Sequence, residues 1–345
     1  MFSVSDDKTS YVCKIGLSSK ICAVSDDASN VIWAEESKNF DSYDIYILRD
    51  NIPERIGTIT IKEGYGNHIY AFFFDKGNSF VVYPLSIASM GESSILISFD
   101  KVKIEEISLP GVLTYVVFLD CFGNRIDSED DSIKKFYIPI LKQKNSDVTS
   151  IYEWSPNNEM VEIVDDIAGE YYLREKVIYY IDSDGDFSKK SLNDEEIEKE
   201  KITTNVDSLY VPATGEYAYI VKAGNLYYMS LLAKNKKLNL VCHSFESKNK
   251  LYTTDTGKVI YYISNTEIID DSYKSKGTLY KFVVGEKPIK IAEDIEQISK
   301  NNSKLYSAEE PVIWQYVSKK DDDYIYNIGT IENNKFVVKL KDIKD

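Results

Sequence analysis

One hexapeptide occurs twice in the chain and constrains its fold more than any other feature. Residues 176–181 and residues 258–263 both read KVIYYI, a separation of two units of about 41 residues. The hexapeptide is rich in the β-branched and aromatic side chains that favour strands. This spacing therefore predicts a repeat protein in which each unit is built from short strands.

Longer matches support the same period. Residues 150–167 align without a gap to residues 278–295, which lie three units of about 43 residues further on. An aliphatic residue followed by tyrosine recurs at Ile45, Ile151, Leu226, Leu279 and Ile325. A Leu-Tyr pair just before a turn recurs at Leu209, Leu251 and Leu305. Runs of this kind, bounded by Gly, Asp, Asn and Ser, predict about four strands per unit.

The predicted fold is all-β: a single β-propeller of about seven four-stranded blades, with eight blades as the alternative. A unit of this type leaves both of its faces apolar, so neighbouring units must pack on each other. The predicted blades are residues 20–61, 68–107, 113–167, 170–206, 207–244, 249–295 and 303–342.

The first 19 residues do not fit this series. Residues 11–17 read as an extra strand, which either pairs with the edge of the final blade and closes the ring or begins an incomplete eighth blade. We expect the first of these arrangements, because a closed ring needs its last blade joined to its first without a covalent link.

Charge and cysteine content exclude several classes of protein. The formal net charge is −15, and arginine occurs only at positions 49, 55, 125 and 174, so no basic stripe for nucleic acid or an anionic membrane is present. The spacing of Cys13, Cys22, Cys121 and Cys242 fits no zinc site, and a bridge between Cys13 and Cys22 stays open. No apolar run is long enough to cross a bilayer. We expect a soluble monomer.

The sequence predicts no catalytic residue and no cofactor. Its two histidines, His68 and His243, belong to no recognisable pair of nucleophile and base, and no G-x-S-x-G motif occurs. Paired acids and the tryptophans Trp33, Trp154 and Trp314 fit solvated turns and packing between blades. They also fit the carboxylates and aromatic platforms of a carbohydrate site.

The sharpest suggestion of a metal site is the segment DSDGD. Asp182, Asp184 and Asp186 place carboxylates at alternate positions, as in the opening of a Ca²⁺ loop. A complete EF-hand loop would require Gly at position 187 and an acid at position 193, where the chain has Phe187 and Asn193. We interpret the segment as a hairpin turn, with Ca²⁺ binding as the alternative.

The ordered series of Leu-Tyr, a turn with Asp or Gly, VIYYI, G-x-Leu-Tyr and KIAEDI resembles the TolB-like and WD-repeat-like propellers, especially a family of unknown function from low-GC Gram-positive bacteria. The resemblance implies the extracytoplasmic portion of a membrane-anchored protein. A cytoplasmic location is the alternative. The motifs are structural and say little about chemistry.

Two functional hypotheses follow from these observations. The first is a non-enzymatic binding or scaffold propeller that recognises a protein or cell-envelope component through one rim of loops. The second is a carbohydrate-binding or carbohydrate-cleaving propeller, with carboxylates and aromatic residues at the mouth of its channel.

Overall fold

The fold is all-β, as the sequence predicts. The computed structural model describes residues 2–5, 8–11, 19–25, 29–37, 42–49, 52–60, 68–74, 79–85, 94–98, 104–108, 135–141, 148–154, 160–192, 199–245, 250–269, 274–299, 311–320 and 323–344. Within these ranges the regular elements are antiparallel strands, and no α-helix occurs. No helix in these ranges is long and apolar enough to span a membrane.

The chain divides into two compact units, residues 1–167 and residues 168–345. The first unit opens with a hairpin of β1 (Phe2–Ser5) and β2 (Lys8–Tyr11). A four-stranded sheet follows, made of β3 (Ser19–Val24), β4 (Val31–Glu36), β5 (Ser42–Arg49) and β6 (Ile52–Thr60). Each strand in this sheet pairs with the next along the chain.

Further strands of the first unit repeat this arrangement. A second four-stranded sheet contains β7 (His68–Phe74), β8 (Ser79–Leu85), β9 (Ser94–Ser98) and β10 (Ile104–Ser108). Next come β11 (Phe136–Leu141), β12 (Thr149–Trp154) and β13 (Val161–Arg174). Only residues 161–167 of β13 pair with β12. The strand therefore changes partner where the sequence predicts the boundary between two blades.

The second unit begins with the rest of β13, which is followed by β14 (Val177–Asp182), β15 (Phe187–Ser191) and β16 (Glu200–Thr203). A separate four-stranded sheet contains β17 (Ser208–Tyr210), β18 (Tyr217–Lys222), β19 (Asn225–Ser230) and β20 (Asn239–Cys242). The last seven strands are β21 (Leu251–Thr253), β22 (Val259–Ile268), β23 (Ser275–Val283), β24 (Ile289–Ser299), β25 (Val312–Lys320), β26 (Asp323–Glu332) and β27 (Lys335–Lys344).

Strand β24 also has two partners. Its first part pairs with β23, and residues 295–299 pair with β25. The predicted final blade, residues 303–342, begins with a strand around Leu305 and Tyr306, whereas the described strand that precedes and pairs with β25 is the end of β24. Those two residues lie outside the described part of the chain.

The hydrophobic core lies between successive groups of strands. In the first unit, one cluster joins Ile32, Ile45 and Ile47 of the first four-stranded sheet to Ile69 and Phe80 of the second. In the second unit, buried clusters join β14 and β15 to β18 and β19, then β18 and β19 to β22 and β23, and finally β22 and β23 to β25 and β26. Face-to-face packing is what a unit with two apolar faces requires.

Two hydrogen bonds in the second unit join residues that are slightly less than one repeat of about 41–43 residues apart. The Tyr172 hydroxyl donates to the Leu209 carbonyl, 37 residues away, at 3.0 Å. The Tyr219 hydroxyl donates to the Gly257 carbonyl, 38 residues away. Tyr219 is only 1% exposed, so its hydroxyl needs this partner. Both bonds thus join neighbouring groups of strands at similar separations along the chain.

The structure bears on two expectations about the N-terminal residues, the closing strand and the Cys13–Cys22 bridge. Tyr11, the first residue of the predicted closing strand, pairs with Phe2 in the first hairpin, and residues 12–18 lie outside the described part of the chain. Cys22 and Cys242 are free thiols, so the Cys13–Cys22 bridge is absent. Cys13 itself lies outside the described residues, as do 113–134 of the third predicted blade.

The two copies of KVIYYI begin in different turns, which gives a testable difference. Lys176 follows Glu175 in a tight turn, and both have positive φ, 66° and 44° respectively. Left-handed backbone is costly for lysine and natural for glycine. We expect Lys176→Gly to raise the free energy of unfolding by roughly 0.5–1 kcal/mol, measured by urea denaturation.

Lys258 is the matched control, since it occupies the same place in the second hexapeptide and the positive φ there belongs to the preceding residue, Gly257. Lys258→Gly should lower the free energy of unfolding by roughly 0.5–1 kcal/mol, because glycine adds conformational freedom to the unfolded chain and relieves no strain in the folded one. Equal effects of the two substitutions would show that backbone strain at Lys176 has no role.

Candidate functional site

The three predicted aspartates lie together in the turn between β14 and β15. Asp182 and Asp186 are 1% and 5% exposed, and Asp184 is exposed. One carboxylate oxygen from each lies within 4.8 Å of the others. Gly185, at φ 76°, donates its amide to the Asp182 carbonyl at 2.9 Å, so the glycine lets the chain reverse within the DSDGD segment.

Asp182 organises this turn through its carboxylate. Its Oδ1 accepts from the backbone amides of Asp184 at 3.1 Å and Asp186 at 2.9 Å. Its Oδ2 accepts from the Ser188 hydroxyl at 3.0 Å and pairs with Lys199 Nζ at 2.8 Å. Burial by itself would raise the pKa of Asp182, but the bonds from Lys199 and from the turn outweigh it, so the pKa is lowered.

Asp186 is held by a second lysine. Its Oδ2 forms an ion pair with Lys201 Nζ, and its Oδ1 accepts from the Asn205 amide at 3.3 Å. The hydrogen bond to Asp186 raises the pKa of Lys201. Lys199 and Lys201 therefore supply positive charge to the two buried carboxylates, which ties the turn to the strand that begins at Glu200.

This arrangement gives a prediction about metal ions. Because lysine ammonium groups already neutralise Asp182 and Asp186, we expect a millimolar excess of Ca²⁺, or of EDTA, to change the melting temperature by less than about 1 °C. A stabilisation that grows with Ca²⁺ concentration and is lost in Asp184→Asn would contradict this and establish a calcium site. Differential scanning fluorimetry of both proteins provides the measurement.

Of the two histidines, His243 has a described side chain, which contacts another side chain of the protein. His243 is exposed, and its Nδ1 lies 2.8 Å from Asn225 Oδ1, to which a protonated Nδ1 donates. His68 begins β7 and its backbone pairs with Leu85. The side chain of His68 lies outside what the structure describes.

Two of the three tryptophans pack in the core. Trp33 and Trp154 are 3% and 2% exposed. Trp33 stacks on Tyr46 and Trp154 on Phe136, with ring centroids 5.3 and 5.8 Å apart. Trp314 is half-buried and meets Tyr326 edge to face. Packing is therefore the role of Trp33 and Trp154, and a sugar platform formed by either is excluded.

A cleft that the sequence analysis did not identify lies along β13 in the second unit. It has a volume of about 420 Å³ and is lined by Gly169, Glu170, Tyr171 and Tyr172. A volume of this size falls within the range of about 300–1,000 Å³ that is common for small-molecule sites. The cleft combines a carboxylate, two aromatic rings and a residue without a side chain.

Alternate residues of β13 hold this region against β17. The Glu170 carboxylate accepts from Ser208 Oγ at 3.3 Å and from the Leu209 amide at 3.4 Å. The ring of Tyr172 meets the ring of Tyr210 edge to face at 5.5 Å. Burial raises the pKa of Tyr172 and of Tyr171, so both phenols are neutral at physiological pH.

Arg174 is the last residue of the same strand, and hydrogen bonds hold its positively charged guanidinium in place. Its Nε donates to the Pro212 carbonyl at 2.9 Å, and Nη2 donates to the Val211 carbonyl at 3.0 Å. Its guanidinium carbon lies 5.3 Å from the centroid of the Tyr172 ring. Burial lowers the pKa of Arg174, although arginine remains charged at physiological pH.

The sequence offers only a faint signal for this cleft. The segment Gly-Glu-Tyr-Tyr at positions 169–172 places a glycine beside aromatic residues in a strand, which marks a close approach of other atoms. At Gly169 an added Cβ would lie 3.0 Å from Cβ of Ile181. The same pattern would also fit a simple packing requirement.

Taken together, these features define an all-β protein of antiparallel sheets, in which the described strands form one two-stranded, three four-stranded, one six-stranded and one seven-stranded sheet. The sequence matches no family model. It also matches no curated protein sequence. Among solved structures, it is similar to Hsv2 from Kluyvelomyces marxianus, with 11% identity, a TM-score of 0.40 and coverage of 93% of this chain and 96% of that one.

A second similar structure is that of a 6-phosphogluconolactonase candidate from Bacteroides uniformis. It has 11% identity and a TM-score of 0.38, and the match covers 87% of this chain and 92% of that one. Such distant likeness says nothing about the activity of this chain.

Proposed function

We propose that the chain is a seven-bladed β-propeller of the TolB-like or WD-repeat-like type, and that it acts as a non-enzymatic binding or scaffold protein. Its partner would be a protein or a cell-envelope component that contacts one rim of loops. The buried apolar clusters between successive groups of antiparallel strands support the propeller, because this packing buries the strand faces and leaves the loops as the variable surface.

The bonding partners of the buried aspartates in the DSDGD turn are the observation that supports a non-enzymatic role. Asp182 binds two turn amides and Lys199, and Asp186 binds Lys201. Each bond holds backbone or balances a buried charge, so this compact group of acids is used for structure. A general acid or base must instead reach a substrate.

One described loop is suited to partner contact. Between β19 and β20, Leu232 is 76% exposed, and it is followed by the exposed residues Lys234 and Lys237. An exposed apolar residue loses contact with water when a partner covers it, and positive charges beside it attract a partner that carries negative charge. We therefore use Leu232 as the position at which the proposal is tested.

The experiment places a photo-crosslinking amino acid at Leu232, irradiates the protein in an extract of its host and identifies the captured species by mass spectrometry. The captured component is then purified and its binding to the unmodified chain measured. A saturable complex that is weakened at least tenfold by Leu232→Asp is expected. Crosslinking at Asn265, in a different hairpin, is the control.

Two results would overturn the proposal. One is turnover of an ester, peptide or glycoside substrate by the purified chain, with loss of turnover in a folded active-site variant. The other is that no reconstituted component binds the chain in a saturable way, whether it was captured at Leu232 or at the control position.

A further inference from the structure

We propose that the loop between β19 and β20, residues 231–238, binds a short acidic segment of a protein partner through Leu232, Lys234 and Lys237. This inference rests on the proposed function, because it names the chemistry of the partner that the loop recognises. The partner would place acidic side chains against the two lysines and an apolar side chain against Leu232.

The loop is held in place by contacts at both of its ends. Leu231 belongs to the buried cluster that joins β14 and β15 to β18 and β19, and its amide donates to the Glu216 carbonyl at 2.9 Å. Leu238 packs against the same cluster. Asn239 Nδ2 donates to the Lys237 carbonyl at 3.0 Å. A loop fixed in this way loses little conformational freedom when a partner binds, so more of the interaction free energy appears as affinity.

An ion pair ties the middle of the loop to the neighbouring strand β16. Lys236 Nζ pairs with one carboxylate oxygen of Glu200, and Lys189 Nζ pairs with the other at 3.0 Å. The hydrogen bond from Lys236 holds the pKa of Glu200 below its usual range. Two lysines therefore already balance the charge of the acid that this loop contacts.

Three side chains of the loop take no part in these contacts. Leu232 is 76% exposed. Lys234 and Lys237 are exposed and form no ion pair with any residue in the described part of the chain. An apolar side chain of this exposure is stabilised when a partner covers it, and each lysine can form a charge-assisted hydrogen bond with a carboxylate of the partner.

The charge of the whole protein distinguishes between the possible anionic partners. Residues 231–242 contain three lysines and no acid, whereas the net charge of the chain is −15. Because salt limits the interaction of exposed charges to about 8 Å under physiological conditions, a short acidic segment interacts mainly with the loop. A membrane or a nucleic acid extends further and also meets the rest of an acidic protein. Segments that bind anionic lipid usually carry about four to eight basic residues, so a protein segment fits this loop better.

The test is a fluorescence-anisotropy titration of the full chain with a labelled acidic peptide, EDLEDFED, and with its amide counterpart, QNLQNFQN, which keeps the side-chain shapes and removes the charges. We expect the acidic peptide to bind with a dissociation constant below about 1 mM, and the amide peptide to bind at least tenfold more weakly. Raising the salt concentration from about 50 to about 300 mM should weaken binding of the acidic peptide at least threefold, since salt screens exposed ion pairs.

The double variant Lys234→Glu/Lys237→Glu should weaken binding of the acidic peptide at least tenfold, and Leu232→Ala at least threefold. Lys287→Glu/Lys335→Glu is the matched control, because it changes the net charge by the same amount. Both of its lysines are exposed and form no ion pair within the described residues. This control should weaken binding less than threefold. Thermal melts establish that each variant is folded.

Three outcomes would overturn the inference of an acidic partner. The acidic peptide does not bind below about 1 mM, or its amide counterpart binds as tightly. The two double variants weaken binding equally, which would make the effect one of net charge. Vesicles of equal parts phosphatidylcholine and phosphatidylserine sediment the wild-type chain but not Lys234→Glu/Lys237→Glu, which would make the loop a membrane contact.

The inference and the proposed function fail separately in this design. A component captured at Leu232 that binds wild type and Lys234→Glu/Lys237→Glu equally tightly would leave the proposed function standing and would overturn the inference of an acidic partner. The absence of any saturable partner would overturn the proposed function, whatever the acidic peptide does.

Discussion

Replacing Gly329 by alanine is expected to destabilise the end of the chain by about 3 kcal/mol, the upper part of the usual range for an overpacked site. Gly329 lies in β26 and pairs with Val338 in β27. A Cβ added there would lie 2.1 Å from the Val337 carbonyl oxygen and 2.8 Å from the ring of Phe336. The first of these atoms is backbone and cannot rotate away.

The consequence would extend beyond one contact. Phe336 packs against the cluster that contains Ile263, Leu279 and Ile331, so moving β27 away from Gly329 also uncovers part of this core. Hydrogen exchange should increase along β27, and the urea midpoint should fall. The register between the two strands already shifts between Ile328 and Gly329, which indicates that the glycine accommodates an irregularity there.

Gly224→Ala is the matched control for Gly329→Ala. Gly224 has φ 69°, and no atom lies within 4 Å of its added Cβ, so only backbone strain of about 1 kcal/mol is expected. If Gly329→Ala costs no more than Gly224→Ala, the close approach of β27 does not determine the stability of this part of the chain.

Gly329 also shows which parts of the fold the sequence could predict. The two KVIYYI segments become β14 and β22, and the second to fifth residues of each strand, 178–181 and 260–263, are all buried. A short continuous apolar run predicts a strand covered on both faces, so strand position follows from the local pattern. The need for glycine at 329 depends on which strand lies beside it, and that is not local.

The long strands β13 and β24 illustrate the same limit. A segment that changes partner half-way has the same alternation of side chains as two strands in succession, so the sequence predicts a blade boundary near residue 167 without predicting that the strand continues through it. The partner is chosen by the packing of whole sheets.

At the candidate sites the sequence predicted which residues lie together, but it did not predict which side chains bind and neutralise them. Asp182, Asp184 and Asp186 are brought together as their alternate spacing predicts. Lys199 and Lys201, which neutralise two of them, lie beyond the intervening strand, so their contact with the turn depends on how β16 pairs with β15. Glu170 and Tyr171 carry no motif, since a cleft is defined by shape.

The second large effect is expected at Asp182. Asp182→Asn keeps the size of the side chain, but it removes the negative charge and presents an amide donor to Ser188 and Lys199, which are themselves donors. Because hydrogen bonds to a buried charge contribute about 1.5–3 kcal/mol, we expect a loss of about 2–3 kcal/mol at pH 7, measured by urea denaturation.

The pH dependence of that loss follows from the pKa of Asp182, which is lowered from 3.8 in the folded protein. Between the folded and unfolded pKa values the unfolded chain binds more protons, so the contribution of the carboxylate is complete above the unfolded value and declines as the pH falls through the folded one. The difference between wild type and Asp182→Asn should therefore be constant from pH 7 to about pH 5 and shrink below about pH 4.

Asp184→Asn is the control for this experiment, because Asp184 is the exposed member of the three and its side chain is not used to hold the turn amides. It should change stability by less than about 0.5 kcal/mol at every pH. A difference between wild type and Asp182→Asn that widens on acidification, or that is as small at pH 7 as the effect of Asp184→Asn, would show that the Asp182 carboxylate does not stabilise the turn between β14 and β15.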